Sequence, residues 1–538
     1  MKHSVKRRLT LLVILALAAA VAGSASSAGG GISVHARTPA SGASLYQSIG
    51  QPLASGQGTV AFGCQTTTPA GCYGPDQIRA AYDIQPLLDR HLDGSGSTIV
   101  VIDPFGSPTL ATDVANFDNV FGLPAPDLQV VTPFGVAPTD PGNAVSWSQE
   151  TSLDIEWAHA VAPGATIVLV VAKSDTDSDI LDATQWVLDH NAGDVVSQSY
   201  GEAEQCMAPS DLARQHALFA SMSQQGITLL ASTGDQGAGQ YTCDGSAYFK
   251  AVSTPASDPY VTSVGGTTLL ADGTTGQYQS ESAWNEVPLF GDAAASGGGL
   301  SVVYSQPDYQ ATALNARQTS AHQDHGQGKS GGGGGNHDHG HSGMQNGGGN
   351  QDHGHGGNQN GGDSNGEQMR GLPDVSYNAA VFHGVITASM GDICGPAGPG
   401  TGTLPCFFRV GGTSAGSPQW AGLIAIADQL GHGRLGAINP ALYQVGAAGR
   451  PSMFFHDIAD GSSNTIPDLT PYLGAPYGTP INGYSAVPGY DLVTGLGSPI
   501  ANRLIPWLAQ NADRSGNNFG STEGDNGSNG NDGHKHNH

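Results

Sequence analysis

The sequence has few charged residues, and few of those are basic. Charged residues make up 12% of the 538 residues, with 19 lysines and arginines against 45 aspartates and glutamates, so the formal net charge at pH 7 is −26. Nucleic acids and anionic membranes attract basic surfaces, and this balance therefore argues against either as a partner. A surface this acidic also loses charge, and with it internal repulsion, as the pH falls.

Long hydrophobic runs are also scarce. The run at residues 9–22 follows four basic residues and precedes the small residues Gly23, Ser24 and Ala25. This arrangement is typical of a signal peptide with its cleavage region, and the run is slightly short for a membrane span. We therefore predict a signal peptide at residues 1–25, with an uncleaved anchor as the alternative. No second run is long enough to cross a bilayer, which predicts a secreted protein without stable membrane association.

Cysteine is rare, and no C-x-x-C spacing suggests a zinc or redox site. The six cysteines fall into three close pairs along the chain: Cys64 with Cys72, Cys206 with Cys243, and Cys394 with Cys406. In the oxidising compartment that export implies, these pairs could form three local disulfides. Six cysteines allow fifteen connectivities, so pairing by proximity is a hypothesis.

Apolar runs typical of strands alternate with helical patterns over most of the chain. The runs at residues 97–103 and 166–172 indicate buried strands, and the proline-rich residues 123–142 indicate a loop. Such alternation is typical of an α/β fold with a parallel sheet. We predict an extended segment over residues 26–75 and one folded domain over residues 76–512.

Glycine, asparagine and histidine dominate residues 319–367, a composition that cannot form a packed core. We predict a disordered surface insertion there and a similar disordered tail at residues 513–538. The insertion contains seven histidines: His322, His325, His337, His339, His341, His353 and His355. Such tracts could bind Zn²⁺, Ni²⁺ or Cu²⁺ loosely, or become cationic below about pH 6.5. A solvated, low-complexity insertion without a metal-binding role is the simpler interpretation.

A serine lies between a glycine-rich turn and an apolar helix in the stretch GGTSAGSPQWAG, residues 411–422. The two glycines allow a sharp turn, and Pro418 in the first turn of the helix sacrifices no needed N–H group. Ser414 would then be exposed near helix N–H groups, as a nucleophile needs. An ordinary helix N-cap is the alternative, and the stretch taken alone favours it.

Two carboxylates lie four residues apart in the stretch SWSQETSLDIEWAHAVAP, residues 146–163. Helical periodicity places Glu150 and Asp154 on one face, about one turn apart, among apolar neighbours such as Leu153 and Trp157. Their like charges repel, which favours a proton shared between them. A solvated acidic helix face is the alternative, and the apolar surroundings argue against it.

Asp235 follows the strand predicted at residues 227–231, in the stretch STGDQG. Open α/β sheets bind ligands beyond the carboxyl ends of their strands, which makes Asp235 a candidate site residue. A turn or helix cap is the alternative. Farther along, the glycines at residues 297–299 in SGGGLSVVY could let the backbone approach a ligand.

Seven stretches, in chain order, resemble the sedolisin or serine-carboxyl peptidase family: LDIEWAHAVAP, VVSQSYGEAE, LLASTGDQG, VTSVGGTTL, SGGGLSVVYSQPDYQ, LPDVSYNA and GGTSAGSPQWAG. The resemblance implies a subtilisin-like fold, with a doubly wound, mostly parallel sheet flanked by helices. It also implies that Ser414 is the nucleophile and Glu150 the general base. Asp154 would orient and tune Glu150, and Asp235 would donate to the oxyanion.

These roles imply a secreted endopeptidase that acts on proteins or peptides in acid. Histidine is already protonated in strong acid, whereas a carboxylate with a pKa near the working pH can accept the serine proton. Asp235 must be protonated to donate a hydrogen bond to an oxyanion, which also favours acid.

Two alternatives stay open. A conventional subtilase would use Asp103, His159 and Ser414, but the H-G-T-H motif of subtilases is absent and Asp235 replaces their oxyanion asparagine. His159 is more simply a packed structural histidine, and Asp103 a turn residue or a group behind the site. A non-catalytic, secreted metal-binding protein on a peptidase scaffold would use the histidine tracts, and it would not need the carboxylates and the serine.

Two stretches near the C-terminus, FHDIADG and YSAVPGYDLVTGLGSP, resemble the calcium loop of the same family. The resemblance implies one Ca²⁺ ion held by the carboxylates of Asp457 and Asp491. The carbonyls of Ile458, Val487 and Gly489 and a water would complete six oxygen ligands, the donor type that Ca²⁺ prefers. Val487 stands where the family has glycine, although a carbonyl ligand does not require one. Two ordinary turn aspartates are the alternative.

Overall fold

The structure is a computed structural model that describes residues 38–39, 45–53, 60–290, 292–311, 368–389, 406–447, 451–475 and 478–512. Three predicted segments lie outside the described residues: the signal peptide at 1–25, the insertion at 319–367 and the tail at 513–538. The segment predicted at 26–75 is described in part.

The α-helices of the described residues are α1 (Pro75–Ala81), α2 (Gln85–Leu88), α3 (Leu110–Phe121), α4 (Pro141–Val161), α5 (Asp177–His190), α6 (Pro209–Gln224), α7 (Val287–Phe290), α8 (Gly416–Gly431), α9 (Asn439–Ala447), α10 (Thr470–Leu473) and α11 (Ala501–Asn511). Short 3₁₀ turns lie at Gly63–Thr66, Thr413–Ala415 and Pro451–Met453. None of these helices is both long and apolar enough to cross a membrane.

The strands of the described residues are β1 (Thr38–Pro39), β2 (Tyr46–Gly50), β3 (Cys72–Tyr73), β4 (Thr98–Pro104), β5 (Asp127–Val131), β6 (Thr166–Ala172), β7 (Val195–Gln198), β8 (Tyr200–Ala203), β9 (Thr228–Ser232), β10 (Gly239–Tyr241), β11 (Tyr248–Lys250), β12 (Ser253–Thr254), β13 (Val261–Ala271), β14 (Tyr278–Ala283), β15 (Gly299–Ser305), β16 (Met369–Leu372), β17 (Val375–Asn378), β18 (Gly384–Ser389), β19 (Cys406–Val410), β20 (Phe455–His456) and β21 (Ser498–Pro499).

Eight of these strands form the central sheet, in the order β14-β13-β9-β7-β4-β6-β5, with β17 also paired to β13. Each pair in this sheet is parallel except β13 with β14. Smaller sheets join β1-β8-β12, β2-β19-β18-β3, β10-β11, β15-β16 and β20-β21. The predicted fold class, a mostly parallel sheet in an α/β protein, is confirmed.

The central sheet is buried on both faces. In β4, Ile99 and Val101 belong to one apolar core and Val100 and Ile102 to the other, and all four side chains are buried. The first core includes side chains of α4 and α8, and the second includes side chains of α5 and α6. Strands covered on both faces are apolar without interruption, which is why the sequence showed them as continuous runs.

Helix α4 carries two of the predicted site residues and begins at a defined cap. The Asp140 carboxylate accepts hydrogen bonds from the backbone N–H groups of Gly142 and Asn143, both at 3.0 Å. The helix is buried from Trp147 onward. It packs along α8 and against the 3₁₀ turn Thr413–Ala415, so that its buried face lies next to the serine motif.

One prediction of local structure was wrong. Strand β5 lies inside the proline-rich stretch that the sequence indicated as a loop, and it pairs in parallel with β6. It is the edge strand of the sheet, and its side chains are half-buried or exposed. A strand of this kind lacks the continuous apolar run of a central strand, so the prolines around it dominated the pattern.

Two of the three predicted disulfides are confirmed, Cys64–Cys72 and Cys206–Cys243. Cys406 is also disulfide-bonded, but Cys394 lies outside the described residues, and that pairing stays a prediction. The first bridge constrains the N-terminal segment. Strand β2 of this segment pairs with β19, the strand that leads into the serine motif.

Candidate active site

The serine motif follows β19 through a turn that only glycine adopts readily. Gly412 has a φ of 108°, a backbone conformation that L side chains rarely adopt. Ser414 then lies in the 3₁₀ turn, two residues before α8, and it is buried, so the predicted exposure of this serine was wrong. Its Oγ makes no hydrogen bond with any of the described residues. The serine is therefore not an ordinary N-cap, because a cap residue satisfies a helix N–H with its side chain.

Asp235 is held beside the serine motif by the neighbour of the serine. Its Oδ1 accepts hydrogen bonds from the Thr413 backbone N–H at 2.7 Å and from the Thr413 hydroxyl at 2.9 Å. The Thr413 hydroxyl oxygen in turn accepts from the Gly234 N–H at 3.1 Å. Thr413 therefore fixes the distance between the Asp235 loop and Ser414, a role that the sequence did not reveal.

Burial changes the ionisation of Asp235. The carboxyl is almost wholly buried, and burial raises its pKa to about 7, although the two hydrogen bonds from Thr413 oppose the increase. Within the described part of the chain, Oδ2 has no hydrogen-bond partner. Below pH 7 the carboxyl is therefore mostly protonated, and Oδ2 is the oxygen that can carry the proton as a donor.

Glu150 and Asp154 are both fully buried on α4, which rules out a solvated acidic helix face. Burial raises the pKa of Asp154 well above its usual value, and the charges of Asp103 and Glu150 raise it further. The Ser199 hydroxyl lowers it in part. Asp154 therefore keeps a proton more readily than an ordinary aspartate does.

Asp103 joins this group of carboxyls from the carboxyl end of β4. It is fully buried, and burial raises its pKa while the Thr151 hydroxyl on α4 lowers it. Its charge acts on Asp154, so the group consists of three acidic side chains, Glu150, Asp154 and Asp103. The position of Asp103 at the end of a central strand was the feature of the sequence that indicated a residue supporting the catalytic residues.

The structure does not assemble the alternative triad of Asp103, His159 and Ser414. His159 is buried, and its Nε2 lies 2.7 Å from the Pro124 carbonyl oxygen and 3.5 Å from Asp118 Oδ1. Burial lowers its pKa, which is the opposite of what a base needs in acid. The His159 ring therefore packs against the segment after α3, whereas the charge of Asp103 raises the pKa of Asp154.

The glycine-rich stretch after β14 runs directly beside Asp235. The Ala295 N–H donates to the Asp235 carbonyl at 2.9 Å, and the Gly297 N–H donates to the Gly234 carbonyl at 2.8 Å. A Cβ on Gly297 would lie 2.1 Å from the Thr233 carbonyl oxygen, so only glycine fits there. This stretch therefore forms one wall next to the candidate oxyanion residue.

The predicted calcium residues lie together beside β20 and β21. The Asp457 carboxylate accepts from the Gly489 N–H at 3.1 and 3.0 Å, and the Asp491 carboxylate accepts from the Val487 N–H at 3.1 Å. Burial raises the pKa of both carboxyls, that of Asp491 to about 6. Ile458 follows Asp457 and is buried. Carboxylate oxygens are ligands that Ca²⁺ prefers, although among the described residues these two carboxylates are not part of a cluster of three or more metal-ligating side chains.

Comparison with known proteins places this site in a family. The sequence profile of the subtilase family matches residues 142–437, more than half of the chain. The chain belongs to the subtilase family. The match contains all four predicted catalytic residues, Glu150, Asp154, Asp235 and Ser414.

The relatives of this subtilase are of the sedolisin type, which confirms the predicted family. Kumamolisin from Bacillus sp. (strain MN-32) is 30% identical over 450 residues, covering 83% of this chain and 65% of kumamolisin. Sedolisin from Pseudomonas sp. (strain 101) is 26% identical over 429 residues, covering 78% of this chain and 58% of sedolisin. The chain thus spans 65% and 58% of the length of these two relatives.

The fold is also that of a solved sedolisin. The structure of Pseudomonas sedolisin, a serine-carboxyl proteinase in complex with two molecules of pseudo-iodotyrostatin, superposes with a TM-score of 0.58 at 24% identity. The superposition covers 82% of this chain and 99% of that chain. The predicted subtilisin-like architecture of this subtilase is therefore confirmed.

Proposed function

We propose that the chain is a secreted serine-carboxyl endopeptidase that hydrolyses peptide bonds in proteins or peptides in acid. The observation that carries this proposal is the buried Asp235, which is hydrogen-bonded to the residue before Ser414 and has a pKa of about 7. A carboxyl with this pKa is neutral in acid and can donate to an oxyanion, which an ionised carboxylate cannot do.

Ser414 is the nucleophile and Glu150 the general base. The serine oxygen attacks the carbonyl carbon of the scissile peptide bond while its proton passes to the Glu150 carboxylate. Asp154 lies one helical turn farther along α4, and its raised pKa lets it keep a proton and orient Glu150. Glu150 then gives the proton to the leaving amine, and the acyl-enzyme forms on Ser414. Water attacks this ester by the same route and releases the serine.

Asp235 stabilises the negative oxygen of the tetrahedral intermediate. Thr413 holds one carboxyl oxygen, Oδ1, through two hydrogen bonds, which leaves Oδ2 to carry the proton. A donor that is fixed before the reaction costs no reorganisation when the charge develops. Losing such a donor typically costs about 3 to 4 kcal/mol of the activation barrier.

Two protonation requirements restrict this mechanism to acid. Glu150 must be ionised to accept the serine proton, and Asp235 must be neutral to donate. Activity therefore falls as the pH rises through the pKa of Asp235, about 7, and falls again in strong acid when Glu150 becomes protonated.

Export is supported by two features of the chain. Residues 1–25 have the pattern of a signal peptide. The disulfides Cys64–Cys72 and Cys206–Cys243 are typical of proteins that fold in an oxidising compartment.

One Ca²⁺ ion is the proposed structural cofactor. Asp457 and Asp491 would hold it together with the carbonyls of Ile458, Val487 and Gly489, and the ion would hold these loops together. Each carboxylate accepts a hydrogen bond from an N–H group of the loop of residues 487–489, which holds both side chains at this loop, and a bound cation would take the place of these donors. The ion takes no part in the reaction steps.

Calcium removal is expected to destabilise the protein. At neutral pH, a chelator should lower the melting temperature, because binding to the folded state alone adds about 3 kcal/mol at a calcium concentration one hundred times the Kd. Asp457→Asn should melt at the same temperature with and without chelator. Asp189→Asn, a matched change at an exposed aspartate of α5, should retain the full chelator effect. An unchanged wild-type melting temperature, with no calcium found by elemental analysis, would contradict the site.

The experiment that tests the proposed activity is hydrolysis of a denatured protein across a pH range of about 3 to 9. We expect a maximum in acid. A maximum above about pH 7 would instead favour a histidine base. No hydrolysis at any pH would favour the non-catalytic metal-binding alternative.

A further inference from the structure

A cavity of about 380 Å³ opens beside the candidate active site. Its lining is formed by residues 250–252, residues 298–302, Ala238, Met369 and Tyr484. The volume is within the range of pockets that hold a small ligand, and it suffices for one large side chain of a peptide.

One wall of the cavity continues from the segment that touches Asp235. The backbone of residues 295–297 is hydrogen-bonded to Gly234 and Asp235, and residues 298–302 line the cavity immediately afterwards. A peptide whose scissile carbonyl lies at Asp235 therefore has this wall within a few residues of the reacting bond.

The other wall continues from the segment after β7, which contacts the carboxyl of Asp154 on α4. The Ser199 hydroxyl lowers the pKa of Asp154, and β8 begins at the next residue. Strand β8 pairs with β12, which begins directly after the lining residue Val252. Glu204, just after β8, joins the two walls. Its backbone N–H donates to the Val252 carbonyl at 3.2 Å, and its buried carboxylate accepts from the Ser301 hydroxyl at 2.8 Å and from the Val302 N–H. The cavity is thus a built part of the site.

The lining is mostly apolar, and its polar side chains are Lys250, Ser301 and Tyr484. Most of it consists of glycine backbone and the side chains of alanine, valine, leucine and methionine. The Lys250 ammonium lies 4.4 Å from the centre of the Tyr484 ring, which stabilises the charge at the edge of the cavity. No carboxylate among the described residues lies within 4.0 Å of the Lys250 ammonium, so its charge is not neutralised by an ion pair.

We propose that this cavity binds a large apolar side chain of the substrate and that Lys250 is the specificity-determining residue that excludes lysine and arginine side chains from it. The proposal rests on the proposed peptidase activity and names its substrate class. A phenylalanine, leucine or methionine side chain buries its surface against the apolar lining. A basic side chain would bring a second positive charge next to Lys250 at the exposed edge of the cavity, where the two like charges repel.

The test is the cleavage pattern of a mixture of unstructured peptides, read by mass spectrometry for the wild type, Lys250→Glu and Lys250→Met. In the wild type, one position near the cleaved bond should favour large apolar residues over lysine and arginine by about tenfold or more. In Lys250→Glu, this ratio should fall by about tenfold or more at the same position, because the repulsion becomes attraction. Lys250→Met should give an intermediate ratio.

Lys173→Glu is the matched control, since it makes the same charge change at an exposed lysine that pairs with Asp179. In Lys173→Glu, the ratio of large apolar to basic residues at each position around the cleaved bond should stay within about twofold of the wild-type ratio. An unchanged ratio in both Lys250 variants, or an equal change in Lys173→Glu, would overturn the pocket assignment. If Ser414→Ala cleaves the same mixture as the wild type does, or the wild type cleaves nothing, the peptidase proposal itself fails, and the pocket proposal with it.

Discussion

Ser414→Ala is expected to lower kcat/KM for peptide hydrolysis by about 10⁴- to 10⁶-fold, because the variant has no oxygen that can form the acyl-enzyme. The fold should be unaffected. The Ser414 hydroxyl makes no hydrogen bond with the described residues, so alanine leaves no buried partner unsatisfied. The measurement is hydrolysis of an unstructured peptide in acid, together with the melting temperature of each protein.

Ser221→Ala is a suitable control for this variant. Ser221 lies on α6, and its hydroxyl donates only to the carbonyl one turn earlier, at Ala217. It should keep wild-type activity and nearly wild-type stability. Ser414→Ala with more than about a tenth of wild-type activity would mean that another residue is the nucleophile.

Glu150→Gln is expected to lower kcat/KM by about 10²- to 10⁴-fold, the usual contribution of a general base. Glutamine has the size and shape of glutamate, but its amide cannot accept the serine proton. The effect should therefore appear mainly in kcat, with KM for the peptide nearly unchanged, and this distinction requires both constants to be measured.

The same helix offers a matched control in Glu156→Gln. Glu156 is also fully buried on α4, but it accepts hydrogen bonds from Thr387 and from the Ala388 N–H, on a different side of the helix from Glu150. Burial raises its pKa well above its usual value, so glutamine replaces a side chain that is already neutral in acid. It should keep most of the activity. Equal losses in the two variants would mean that α4 tolerates no change, and that Glu150 has no special role.

The fold and the order of the site residues could be read from the sequence because both depend on local patterns. Strands β4 and β6 were visible as apolar runs, since each is covered on both faces of the sheet. Glu150 and Asp154 could be placed on one face from helical spacing alone. The seven stretches that resemble the sedolisins occur in the same order as in that family. This shared order supports the resemblance more strongly than a single motif such as the serine turn can.

The contacts that tune the site could not be predicted, because they join residues that are distant along the chain. The hydrogen bonds between Thr413 and Asp235 span 178 residues. The action of Asp103 on Asp154 depends on how β4 packs against α4. Burial, which sets the pKa of Asp235, is likewise a property of the folded chain and has no local signature.

In the proposed mechanism, a neutral carboxyl at Asp235 replaces the oxyanion asparagine of a conventional subtilase, and an ionised carboxylate at Glu150 replaces its histidine base. The most direct test is the pH dependence of kcat/KM, which reports the pKa values of the free enzyme, for the wild type and Asp235→Asn. The wild type should lose activity as the pH rises through about 7, where Asp235 ionises. In Asp235→Asn that loss should disappear, because an amide donates a hydrogen bond at any pH. A profile with its maximum above pH 7, or the same loss in both proteins, would contradict the claim.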